Sequence, residues 1–227
     1  IFRVFELTIG TTGLRLPEAE AKGYDVAIAH ITKPAIPEYL KGREMVIKAI
    51  SDRKTKKLLG AQIIGFEGVD KRLDVLVTAM SAGLEAPELA HLDLAYAPPF
   101  ATTKDPIIYT GMVLGNVLER AHELMPAEKL IQLLQTDPDS VVVIDTRSPK
   151  QYEEGHVEGA VNIPQVNIRQ KIAELDPAKT YVTYCNRGVT GNAVQNILIN
   201  NGFKNVYNLS GKGIDNLLEM ILLVAEM

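Results

Sequence analysis

The chain has 227 residues, enough for two domains of ordinary size. Hydrophobic residues make up 46% and charged residues 23%, which excludes wholesale disorder. The net charge is −4, and the only basic cluster is Arg53-Lys54-Thr55-Lys56-Lys57. That pattern argues against nucleic acid as a partner. No apolar run reaches the ~18–20 residues of a membrane span, so no membrane partner is expected either. The single cysteine, Cys185, excludes an internal disulfide or a multi-cysteine zinc site and suggests a reducing, cytoplasmic setting. The opening Ile1-Phe2-Arg3-Val4-Phe5 has neither an initiator Met nor a signal-peptide layout. We therefore expect the chain to be the C-terminal part of a longer protein.

Alternation over residues 2–9 reads as a strand, and residues 16–22 as a short helix with Pro17 in its first turn. Residues 26–31, 44–51 and 58–65 read as strands, the last two joined by the polar turn at 53–56. Residues 70–82 read as a helix burying Leu73, Leu76, Val77 and Met80, with Gly83 as its C-terminal cap. Strands followed by a packed helix suggest an α+β domain with an antiparallel sheet. Residues 111–124 read as a helix with Val113, Leu114, Val117, Leu118 and Ala121 on one face. Pro126 then opens a new helix, which places the domain boundary at 125 and gives domains 1–124 and 126–227.

The second half changes pattern. Residues 141–145, 160–163, 181–184 and 205–209 read as strands, and 189–200 as a helix closed by Gly202. A turn at 210–213 and a last helix follow. Such alternation predicts an α/β domain, a parallel sheet with helices on both faces.

Cys185 falls where a buried strand ends and a helix begins, with Asn186-Arg187-Gly188-Val189-Thr190 between them. Ligands of open α/β sheets bind at the carboxyl ends of strands. A loop entering a helix N-terminus turns backbone N–H groups toward an anion, and a thiol at such a place is favoured as thiolate. Arg187 adds a positive charge. These features point to a nucleophilic cysteine. A lone cysteine at a strand end is equally a common buried structural residue, but such a residue rarely needs a polar, glycine-containing loop.

Three segments carry a family resemblance. They are Val143-Ile144-Asp145-Thr146-Arg147 with Gln151 to Pro164, Tyr184-Cys185-Asn186-Arg187-Gly188, and Asn208-Leu209-Ser210-Gly211. Together they resemble the rhodanese family over residues 126–227. The resemblance implies a sulfurtransferase domain with Cys185 as catalytic persulfide carrier, cradled by Asn186, Arg187, Gly188, Val189 and Thr190. It implies a scaffold role for Asp145, Arg147 and Gly155-His156, and we read His156 as structural. Thr190 stands where many such loops end in arginine. The difference weakens both thiosulfate recognition and a phosphatase reading, which wants an arginine clamp there.

In the first half, Lys57 to Gly65, Leu92-Asp93-Leu94-Ala95-Tyr96-Ala97-Pro98-Pro99-Phe100, Lys104-Asp105-Pro106-Ile107 and Gly111 form a second pattern. It resembles the dimerisation domain of flavin-dependent pyridine nucleotide-disulfide oxidoreductases. Within that family the similarity is to coenzyme A-disulfide reductases and the related NADH oxidase and polysulfide reductase branch, some of which carry a fused rhodanese domain. The resemblance implies a homodimer acting on small sulfur substrates: persulfide, polysulfide, coenzyme A-disulfide or thiosulfate. It also implies FAD and NAD(P)H in the full-length enzyme, with coenzyme A a further candidate. No Gly-x-Gly-x-x-Gly follows a strand here, so the fragment alone is expected to bind none of these cofactors. Tyr96, inside its motif, and Tyr39, on a looser match, would reach the partner subunit's disulfide site. His30 and His91 lack acidic or cysteine company at ligand spacing, so no metal is assigned. A non-catalytic dimeric module that binds anions or sulfur is the alternative reading.

Overall fold

The computed structural model describes residues 1–120 and 123–210. The chain divides into two compact units, residues 1–121 and 122–227.

The first unit holds an antiparallel sheet in the order β1-β2-β5-β4-β3. Its strands are β1 (Phe2–Val4), β2 (Leu7–Gly13), β3 (Val26–Pro34), β4 (Glu44–Asp52) and β5 (Leu58–Gly65). A short helix, α1 (Leu16–Ala21), links β2 to β3, with its proline at the start. Ala29, Ala49 and Ala61 stand in register across three strands, and Ile31, Ile47 and Ile63 form the next row. All six are buried. On this sheet pack α2 (Val69–Ala82), against β2 and β5, and α3 (Pro106–Arg120), against β3 and β4. The opposite face carries the polar row His30, Lys48 and Gln62.

Three local expectations change. The single strand over 2–9 is a hairpin: Val4 pairs with Leu7, and Phe5 takes φ +52° in the two-residue turn. The alternation runs through this turn, so it does not reveal the reversal. In α2 the buried stripe is Val69, Arg72, Leu73, Leu76 and Ala79, while Val77 is 39% exposed. At 100° per residue Val77 lies beyond the stripe. Finally, Leu124 is not helical. Leu124–Met125 form β6, a strand of the second sheet, because the edge of a neighbouring strand offers backbone partners.

α2 ends as expected. Gly83 adopts φ +72°, Leu84 N–H donates to Ala79 O and Gly83 N–H to Met80 O. This closure needs a left-handed residue, which glycine supplies without steric cost.

The second unit holds a parallel sheet in the order β6-β10-β9-β7-β8. Its further strands are β7 (Val141–Asp145), β8 (Val161–Asn162), β9 (Thr180–Tyr184) and β10 (Val206–Leu209). Its helices are α4 (Ala127–Thr136), α5 (Pro149–Glu154), α6 (Ile168–Lys171) and α7 (Val189–Asn200). Successive strand residues feed opposite faces, as the strand period requires. Ile144, Tyr181 and Val206 join Ile168, Val194, Ile197 and Leu198 in one cluster. Val143, Val182 and Leu209 join Leu130 in the other. Helices therefore cover both faces. Gln195, fully buried, donates to the carbonyls of Glu123 and Val206 and ties α7 to the β6 edge. The expected turn beyond Ser210 and the last helix lie outside the described residues.

Candidate active site

β9 runs between β7 and β10, and its carboxyl end delivers Cys185, which is 7% exposed. The next three residues turn the chain into α7. Gly188 makes the turn at φ +75° as N-cap, and its carbonyl accepts the first helical bond, from Asn192 N–H at 2.9 Å. A helix start leaves its first N–H groups without intrahelical acceptors, so this end of α7 offers donors to a negative group.

The loop is held from three sides. Thr146, just beyond β7, donates from Oγ1 to Tyr184 O and accepts from Thr190 Oγ1, both at 2.9 Å. Thr190 thus closes the loop end with a neutral hydroxyl pair. Arg147 forms the second tie. Its guanidinium donates from Nε and Nη2 to the fully buried Asp145, at 3.0 and 2.7 Å. Its Nη1 donates to Asn186 Oδ1 at 3.0 Å and its Nη2 to Gly155 O at 2.6 Å. Burial pushes the Asp145 carboxyl up, but the Arg147 bonds outweigh it and hold the group below the usual aspartate range. The third tie is Asn208 on β10, whose Nδ2 donates to Gly188 O at 3.3 Å.

His156 stacks on Tyr152 with ring centroids 3.7 Å apart, and its Nδ1 lies 2.9 Å from Tyr152 O. Burial raises the Tyr184 phenol, whose oxygen accepts from Val157 N–H at 3.0 Å. These contacts fix the segment beside the loop.

Cys185, Asn186, Arg187 and Gly188 form the loop, whereas Val189 and Thr190, expected in it, are the first two residues of α7; Arg187 and Val189 are exposed. It places the two tyrosines in the first unit. Tyr39 lies in the helical turn Glu38–Leu40 between β3 and β4 and is 75% exposed. Tyr96 lies between the turn Ala86–His91 and α3, is 51% exposed, and has its hydroxyl 3.3 Å from Thr103 Oγ1. The chain leading from Tyr96 to α3 is anchored by Asp105. Its carboxylate takes two bonds from the buried Arg72, at 3.2 and 2.8 Å, and one from Ile107 N–H. Thr146 and Asn208 escaped the sequence reading as loop supports. The available signal was a polar residue within or just beyond a mainly apolar strand. Among the described residues no cluster of three His, Cys, Asp or Glu side chains is placed to hold a metal. No described helix is long and apolar enough to cross a membrane.

The fold class is thus an α+β domain on an antiparallel sheet, followed by an α/β domain whose parallel sheet delivers a cysteine at the carboxyl end of a central strand. Residues 1–106 match the pyridine nucleotide-disulphide oxidoreductase dimerisation domain, and residues 126–216 match the rhodanese-like domain. The chain thus carries one match to each of these two domain families, in that order. It is 41% identical over 115 residues to the NAD(P)H sulfur oxidoreductase (CoA-dependent) of Pyrococcus furiosus, a match covering 50% of this chain and 26% of that protein. Two solved structures resemble nearly the whole chain. Reduced CoADR-RHD of Bacillus anthracis matches with TM-score 0.85 and 29% identity, over 92% of this chain and 37% of that one. An NAD-dependent persulfide reductase from A. fulgidus matches with TM-score 0.79 and 30% identity, over 93% and 37%. The chain thus spans about a quarter of the curated relative and little more than a third of the two structures.

Proposed function

We propose that the chain is the C-terminal part of an NAD(P)H-dependent flavoprotein that reduces disulfide, persulfide or polysulfide sulfur, of the coenzyme A-disulfide type. In this reading residues 1–124 form the dimerisation domain, residues 126–227 the rhodanese domain, and Cys185 carries sulfane sulfur as a persulfide. The observation that supports it most is the shared order of both domains with the two structures above, over nearly the whole chain.

Among the described residues no strand-to-helix connection carries a Gly-x-Gly-x-x-Gly run. In this reading the dinucleotide-binding motifs for FAD and NAD(P)H belong to the rest of the proposed enzyme. What this chain supplies is sulfur capture. The Cys185 thiolate attacks the outer sulfur of a polysulfide, the S–S bond breaks, and a polysulfide one sulfur shorter leaves as the anion. The terminal sulfur on Cys185 then carries the negative charge, which the N–H groups at the start of α7 are placed to stabilise. An acceptor nucleophile attacks that sulfur and releases Cys185 as thiolate. Tyr96 and Tyr39, both exposed, are free to approach a partner subunit's disulfide site, where a phenol can donate to a thiolate.

Thr190 favours the second reading, a module that binds anions or sulfur without turnover, because its neutral contact with Thr146 replaces an arginine clamp. Sulfur transfer from polysulfide to cyanide separates the two. Cys185→Ser is expected to abolish transfer and leave the fold intact; a wild-type chain with no transfer would favour the module.

A further inference from the structure

Asn208 is 5% exposed, and it lies under the cysteine loop on the strand next to β9. Its main chain is fixed in the sheet, its N–H donating to Glu123 O at 3.1 Å. Its carboxamide touches both the loop end and the first turn of α7. Nδ2 donates to Gly188 O, the same carbonyl that accepts from Asn192 N–H. Oδ1 is buried with no hydrogen-bond partner among the described residues. That oxygen lies against Gly191, where an added Cβ would come within 2.4 Å of it and 3.2 Å of Tyr184 Cα. Gly191 O in turn accepts from Thr183 Oγ1 at 2.9 Å. The first turn of α7 is therefore clamped between Thr183 on β9 and the Asn208 carboxamide.

The peptide plane gives this clamp a direction. No peptide bond among the described residues is cis. In a planar trans unit the C=O and the following N–H point opposite ways. Two donors hold the Gly188 carbonyl toward the helix body and Asn208. Val189 N–H is thereby aimed out of the helix start, on the side where the loop lies. We propose that Asn208 is a positioning residue for the Cys185 loop, holding Val189 N–H in place for an anionic sulfur ligand. The role rests on reading Cys185 as the sulfur carrier, and it concerns a residue outside the loop itself.

Alkylation of Cys185 in the full chain with iodoacetate and with iodoacetamide at one pH tests it. The ratio of the two rates reports how well the loop recruits an anion, and a general loosening would not selectively lower it. Asn208→Leu keeps the side-chain shape but removes the donor. It is expected to lower the iodoacetate-to-iodoacetamide ratio about three- to tenfold, the range that corresponds to one neutral hydrogen bond. Asn208→Asp, also isosteric, removes the donor and adds a like charge, and should lower the ratio further. Unchanged ratios in either folded variant overturn the proposal. A thiosulfate titration of the 15N-labelled wild-type chain reads the same point without a substitution: the Val189 amide resonance should move, and a stationary Val189 resonance while others shift overturns it too. The two failures are distinguishable. A wild-type chain that takes no sulfur from polysulfide counts against the proposed function, whereas unchanged ratios on a sulfur-loading chain count against Asn208 alone.

Discussion

Asp145 is fully buried, and it stays ionised because Arg147 meets it with paired hydrogen bonds. Its folded carboxyl is held below the unfolded value. Its contribution to stability is thus present above the ordinary aspartate range, near pH 4, and is lost as pH falls through the lower folded value. Asp145→Asn leaves Arg147 with an uncompensated charge at the foot of the loop and should cost about 3 kcal/mol. Denaturant midpoints of the second domain would show it, and a loss well under 1 kcal/mol would contradict the account. Arg187→Ala should slow sulfur loading from anionic donors more than from neutral ones, since it removes charge and spares the nucleophile; rates with thiosulfate and with a neutral organic trisulfide check this.

Residues differ in how plainly the sequence announced them. Cys185 and its loop were legible because the chemistry lies in consecutive residues, between a strand and a helix. Thr146 and Asn208 were not. Thr146 meets Thr190 across 44 residues, and Asn208 meets Gly188 across 20. Periodicity carries no information about such pairs.

At the scale of elements, the long periodic stretches were legible. β3, β4, β5, α2 and α7 form close to their expected positions, because one face of each is apolar at the proper period. Features decided by partners were hidden. The β1–β2 reversal needs only two turn residues, and β6 exists because β10 has an edge to pair with. The polar row on the first sheet yields a pH prediction. Burial, and then the neighbouring charge of Lys48, push His30 down to about 4. The unfolded imidazole titrates near 6.5. Between those values the unfolded chain binds the proton and the folded chain does not, so stability is lost as pH falls from about 6.5 to about 4. The loss should reach about 3 kcal/mol in the first domain. His30→Gln should flatten that slope in urea unfolding followed by first-domain amide signals; equal slopes in both proteins would count against it.

At the scale of the whole chain, the account expects self-association through residues 1–124, where Val77, Tyr96 and Phe100 stand exposed. Closed two-fold pairing is the commonest arrangement among homo-oligomers. Sedimentation at micromolar concentration and neutral pH should show a dimer, and Val77→Glu should shift it toward monomer. A wild-type monomer under those conditions would remove the dimerisation reading.

Sulfur on Cys185 is the claim on which the others depend. Intact mass after exposure to polysulfide, with and without a reductant, measures it directly. The wild-type chain should gain the mass of one sulfur atom or more, reversed by the reductant, while Cys185→Ser gains none. A wild-type chain that shows no reducible added sulfur, at a pH where Cys185 alkylates readily, would contradict the account and leave the binding module in its place.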